Sequence, residues 1–113
     1  MRVRHEDSGE TLAATVDRAT GIVSRGRGLM FRRSIPDDYA LVFEFDGVGA
    51  RSLHMLFVPF SLDAVWIADG EVTLSETLSA WTGLASGEAD LVIELPAGAA
   101  EAVSVGDRVT VAP

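Results

Sequence analysis

The chain has 113 residues, a formal net charge of −8 and no cysteine. That length fits one domain, the missing cysteine excludes disulfides and thiolate metal sites, and no apolar run approaches the roughly 18 residues of a membrane helix. The 17 acids outnumber the 9 bases, which argues against a nucleic-acid partner, because phosphate contacts need clustered basic residues.

All nine bases are arginine. Lysine is normally among the commonest residues, so arginine-only bases together with the acid excess suggest a halophilic protein. In about 1 M salt the Debye length is only about 3 Å, and acid–acid repulsion is screened. A GC-rich genome also favours arginine over lysine, but it does not explain the acids. The first ten residues lack the apolar stretch of a signal peptide. A soluble, cytoplasmic protein is expected.

Residues 1–10 read as a flexible N-terminal tail, leaving 11–113 as one domain. In 11–16, Leu12, Ala14 and Val16 share a face, the two-residue period of a strand. From Thr20 to Arg33, residues Ile22, Val23, Gly26, Leu29 and Met30 fall near helical spacing, and Thr20 can cap the start. A short helix is expected there, although Gly26 and Gly28 each cost it about 1 kcal/mol. Residues 34–38 form a loop in which Pro36 holds Ile35 extended.

Residues 39–45 alternate Leu41, Phe43 and Phe45 as a strand, and 46–49, Asp-Gly-Val-Gly, read as a turn. Residues 51–60 are apolar on both faces, which predicts a strand deep in the structure, ended by Pro59. Two strand-like runs then flank Asp69-Gly70, the pair that a type I′ hairpin needs. Residues 79–88 read as a loop, and 89–95 as a strand. The alanine-rich 96–103 suggests one or two helical turns behind Pro96, and 106–112 a turn into a last strand. The fold class is therefore mainly β: an antiparallel β-sandwich or barrel-like domain of six to seven strands with one or two short helices.

Three segments carry a resemblance. Residues 27–45, Arg-Gly-Leu-Met-Phe-Arg followed by the first strong strand, resemble a GLMFR-type opening. Residues 54–72 resemble a central hairpin written around Trp-Met-Lys-Asn-Thr, Leu-Asp-Val and Asp-Gly-Val. Residues 91–109 resemble a closing Val-Leu-Glu-Leu-Pro-Ala-Gly followed by Gly-Asp. In this order and spacing the chain resembles domain-of-unknown-function family 192 (DUF192) from about residue 11 to the end. The resemblance implies a compact, mainly β domain of this length and carries no settled activity. Many bacterial members look exported. Where the family commonly has Trp-Met-Lys-Asn-Thr, this chain has His54-Met55-Leu56-Phe57-Val58, so three polar positions have become apolar.

Five residues are candidates for a site: Arg32, Arg33, His54, Asp63 and Trp81. His54 is the most capable acid–base group, and Asp63 could face it across adjacent strands. The structural use, a buried histidine filling the space of a tryptophan, is preferred. Asp63 is expected to accept backbone N–H bonds from the turn before it, or to pair with an arginine. One of Arg32 and Arg33 is expected to clamp an internal carboxylate (Asp63 or Glu94) and the other to face solvent. Met30, Phe31, Met55, Phe57, Phe60 and Trp66 could line a pocket, but core is the more frequent use of such residues and is the reading preferred. Trp81, on a glycine-bearing loop, reads as a contact residue or lid, or as folded back over the core. No catalytic residue is assigned. No metal site is assigned either, since His5 and His54 lie far apart in the chain, and no cofactor is implied.

These residues suggest a non-catalytic module that binds a small ligand or peptide between the Arg32 region, the 51–66 hairpin and the Trp81 loop. The alternatives are a hydrolase using His54 and Asp63, and an interaction subunit docking through an exposed aromatic loop. The expected partner is a small molecule or a protein, with neither nucleic acid nor membrane.

Overall fold

The computed structural model describes residues 1–19 and 29–113. Most of the helix expected over 20–33 therefore lies outside the described residues. Among the described residues eight strands form two sheets, with no helix and no closed barrel. A three-stranded sheet has the order β2-β1-β8, from β2 (Glu10–Ala13), β1 (Arg2–His5) and β8 (Val109–Ala112). A five-stranded sheet has the order β3-β4-β7-β5-β6. Its strands are β3 (Thr15–Ala19), β4 (Tyr39–His54), β7 (Leu84–Pro96), β5 (Leu62–Ala68) and β6 (Glu71–Leu78). All pairs are antiparallel except β3–β4, which is parallel.

One core lies between the sheets. Val42, Val65, Ile67, Ile93 and Leu95 of the large sheet meet Val3, Leu12, Ala13 and Val109 of the small one. Residues 1–10, read from sequence as a tail, supply the central strand of the small sheet, with Val3 and His5 buried. His5 reinforces the closure: its Nε2 bonds Asp107 Oδ2 at 2.7 Å, just ahead of β8.

A second core covers the opposite face of the large sheet, around Leu41, Phe43, Trp66 and Val92, with Leu29, Tyr39, Met55 and Val58 packed against them. The β4–β7 pairing breaks register between Glu44 and Gly49, where a turn was expected; the strand instead continues through the irregularity. Beyond it the ribbon reaches Trp66. The indole Nε1–H donates to Arg51 O at 2.8 Å, and Gly87 lies so close that a Cβ there would sit 3.1 Å from the ring. Glycine at position 87 allows that approach without the ring having to shift.

The 69–70 hairpin forms as read: Asp69 has φ 51° and Gly70 φ 84°, the two left-handed positions of the turn. Three other expectations are corrected. Residues 51–60 are not a buried central strand. β4 ends at His54, and a turn follows, closed by Val58 N–H donating to Met55 O at 3.0 Å. Burial then falls on Met55 and Val58, while Leu56 and Phe57 stand exposed at the tip. Residues 97–102 are turns rather than helix, because Gly98 at φ 93° interrupts any helical run. The loop expected over 79–88 is also shorter, since β7 already begins at Leu84.

Candidate ligand-binding corner

Three segments meet beside the turn that follows β4. Phe31 N–H donates to Phe57 O at 2.8 Å, and Trp81 N–H donates to Val58 O at 3.0 Å. Met55 N–H donates to Gly83 O at 3.0 Å, which fastens the turn to the start of β7. Phe31, Phe57 and Trp81 are all in the left-handed region, at φ 69°, 60° and 67°. Bulky residues rarely adopt that conformation, and it costs about 1 kcal/mol or more each. The backbone bonds hold it in place.

The side chains so presented face water. Phe31 is 64% exposed, Phe57 50% and Trp81 55%, with the neighbouring Leu56 and Leu84 also exposed. The Phe31 and Phe57 rings stack with centroids 5.0 Å apart. Together these five residues expose on the order of several hundred Å² of apolar surface, the size at which a patch marks an interaction site. A separate groove of about 280 Å³ lies between Phe43, Phe45, Leu53 and Arg51. Its arginine is already engaged: Arg51 donates to Ala89 O and Gly47 O, and its guanidinium lies 4.0 Å from the Phe45 ring centroid.

The sequence-derived candidates divide. Trp81 belongs to the corner, and Arg32 and Arg33 follow Phe31 directly. Arg32 lies over the Tyr39 ring, 5.3 Å from its centroid. The expected internal clamp does not form: no ion pair among the described residues joins either arginine to Asp63 or Glu94. His54 is exposed rather than core, with Nδ1 accepting the Leu56 N–H at 3.3 Å.

Asp63 is buried and fully engaged. Oδ1 accepts from Thr77 Oγ1 at 2.6 Å, and Oδ2 accepts the N–H groups of Gly98 and Ala100 at 3.0 and 2.9 Å. It does accept backbone N–H bonds, but from the turn after β7 rather than the one before β5. His54 pairs with Leu84 and Asp63 with Leu95, at opposite ends of β7. The structure does not bring His54 and Asp63 together.

Sequence reading missed two features. Apolar residue type favours the core for Phe31 and Phe57, and no residue-type signal betrays a phenylalanine at positive φ. From sequence, Glu94 figures only as a clamp partner. It sits on the Trp66 face of the large sheet, paired with Leu41 on one side and Ala64 on the other, and is 6% exposed. Burial pushes its carboxyl up to about 7, against the opposing charge of Arg32. The legible signal was a glutamate inside a run that is apolar on both faces.

His5, Asp7 and Asp107 place three potential metal-ligand atoms within 4.8 Å of one another. Each already has a structural partner. Asp107 Oδ2 also accepts the Ser104 N–H, Asp7 Oδ1 accepts the Arg108 N–H, and His5 Nδ1 bonds Ser8 Oγ. The Ser104 bond, then His5, holds the Asp107 carboxyl below its ordinary range.

The class is thus a mainly β, two-sheet domain with an exposed aromatic corner. Residues 3–111 match the model of DUF192, described as "Uncharacterized ACR", and the chain belongs to that family. The fold is similar to a crystal structure of a "putative transcription regulator" from Sinorhizobium meliloti 1021. That likeness has a TM-score of 0.81 and 29% identity, over 96% of this chain and 89% of that one. It is also similar to a protein of unknown function from Novosphingobium aromaticivorans DSM 12444, with a TM-score of 0.76 and 21% identity, over 85% and 74% of the two chains. No curated protein matches the chain.

Proposed function

We propose that this protein is a non-catalytic binding module whose aromatic corner takes an apolar peptide segment bearing a carboxylate. The observation that carries the reading is the trio Phe31, Phe57 and Trp81, each exposed and each held at positive φ by the fold. Strain of this kind gathers where a surface is used. The departure from the family motif supports it: Leu56 and Phe57 stand exposed where the motif has Lys and Asn. Arg32 and Arg33 set positive charge beside the patch on a chain of net charge −8, which suits a carboxylate on the partner.

The Sinorhizobium protein's name points toward transcription. A net charge of −8 disfavours gripping a phosphate backbone, so any such role here would run through a protein contact. The hydrolase alternative finds no support, because Asp63 is held by Thr77 and the 98–100 turn.

The test uses immobilised apolar peptides ending in a free carboxylate or in an amide, with Trp fluorescence as a second readout. Binding is expected to prefer the free carboxylate and to weaken at least about tenfold in Phe57→Ser and Trp81→Ala. Equal binding by wild type and both variants, or binding by none of them, overturns the reading.

A further inference from the structure

The groove at the register break of β4 and β7 takes no part in the aromatic corner. It encloses about 280 Å³. Phe43 and Val92 are its buried lining, while Phe45, Leu53 and Arg51 are half-buried and reach its open side. The break makes the room. Glu44 pairs with Leu91 and Gly49 with Ala89, so residues 45–48 of β4 stand against Asp90 alone. In an unbroken ladder, side chains on one face pack against their neighbours. Here the extra residues separate Phe43 from Arg51 and Leu53, and the space between them stays open. Irregularities of this kind are over-represented beside sites that are used.

Arg51 is the charged group of the groove. Its Nε–H donates to Ala89 O at 3.1 Å and its Nη2 to Gly47 O at 2.7 Å, and the guanidinium lies 4.0 Å from the Phe45 ring centroid. These contacts fix the guanidinium plane without neutralising its charge. Of the five N–H donors of an arginine, both on Nη1 and one on Nη2 remain. Arg4 and Arg18 each reach a glutamate, but among the described residues no carboxylate pairs with Arg51. That holds on a chain with 17 acids for 9 bases. A half-buried cation beside apolar walls destabilises the fold unless an anion joins it.

We infer that this groove binds a small apolar carboxylate of about one aromatic ring. Its carboxylate accepts from the remaining N–H groups of Arg51, and its ring lies against Phe43, Phe45 and Leu53. Charge selects the class: an amine is repelled by Arg51, and a neutral ring leaves the guanidinium without a counter-charge. Size selects within it, since the volume falls at the small end of the roughly 300–1,000 Å³ usual for ligand sites. The guanidinium is held in place before the ligand arrives, so little ordering entropy is lost on binding. The site shares no residue with the Phe31, Phe57 and Trp81 corner and does not rest on the peptide reading.

The test is a titration of the ¹⁵N-labelled protein with phenylacetate, with phenylacetamide and acetate as controls. The two tryptophans give separate indole N–H signals. Trp66 Nε1–H donates to Arg51 O at 2.8 Å, so it reports on the groove, whereas the exposed Trp81 reports on the corner. Phenylacetate should shift the Trp66 indole signal and the amides of residues 51–53, leaving Trp81 unmoved. Both controls should bind at least about tenfold more weakly. Arg51→Gln should abolish the preference for phenylacetate over phenylacetamide, and Phe57→Ser should retain it. Four results overturn the proposal: no shift at Trp66 with about 10 mM phenylacetate, equal binding of phenylacetamide, shifts at Trp81 instead of Trp66, or an unchanged preference in folded Arg51→Gln. The first three are read on the wild-type protein and stand even where Arg51→Gln does not fold. Loss of peptide binding in Phe57→Ser with phenylacetate binding retained separates the two sites.

Discussion

Asp63 Oδ2 accepts the Ala100 N–H across 2.9 Å, and the same oxygen accepts the Gly98 N–H at 3.0 Å. One buried carboxylate thereby organises the turn that leads from β7 toward β8. Removing it strands two backbone donors and Thr77 Oγ1. Asp63→Ala should cost about 3 kcal/mol or more, and Asp63→Asn less, because one acceptor oxygen remains. Urea denaturation of both variants checks the order. A loss below about 1 kcal/mol in Asp63→Ala would contradict the assigned role.

Glu94 gives a pH signature of the opposite sign to an ordinary carboxylate. Its carboxyl moves from 4.5 to about 7 on folding, so the folded state holds the proton more tightly. Below the unfolded value both states are protonated and nothing is lost. As pH rises from there through the folded value, stability falls, by roughly 3 kcal/mol in total. Glu94→Gln should remove that slope. Melting curves of the two proteins should converge near pH 4.5 and diverge by pH 8, with the variant more stable.

Phe57 occupies a backbone conformation that asparagine adopts far more readily. Phe57→Asn relieves strain but loses the stack on Phe31, worth about 0.5–1.5 kcal/mol. The expected net change in stability is under about 1 kcal/mol, while peptide binding at the corner should fall clearly. Parallel denaturation and binding measurements separate these effects.

The charge balance makes salt a control variable. With 17 acids against nine arginines, self-repulsion is strongest in dilute buffer. The melting temperature should rise between millimolar and molar sodium chloride. An unchanged value would count against the halophilic reading.

Gly87 faces the Trp66 ring with no room to spare. Trp66 is fully buried and its indole N–H is bonded to Arg51 O, which restrains the shift the ring would have to make. Gly87→Ala should destabilise by about 1–3 kcal/mol and perturb the near-ultraviolet circular dichroism of the tryptophans.

The sequence made the strands legible where alternation and turn chemistry agreed. The Asp69-Gly70 hairpin is the clearest instance, since both residues favour the conformation they hold. Residues 51–60 misled because an apolar run looks the same as a buried strand or as an exposed corner. Only tertiary bonds, such as Met55 N–H to Gly83 O, decide which. Alanine-rich 96–103 misled for a related reason: the left-handed Gly98 and the long-range bonds from Asp63, some thirty-five positions earlier, fix this segment as turns. Within the candidate site, Trp81 and the arginines could be picked out as residue types that serve surfaces. Phe31, Phe57 and Glu94 could not, because backbone angle and burial set their meaning.

The pairing of β1 with β8, Arg2 against Ala112 and His5 against Val109, has a kinetic consequence. Contacts so distant along the polypeptide close late, since the entropy of a long loop must be lost before they form. Refolding should show the Trp66 environment maturing ahead of amide protection in the small sheet. The intermediate stage, with β1 still open on one edge, would be the moment of greatest exposure to aggregation.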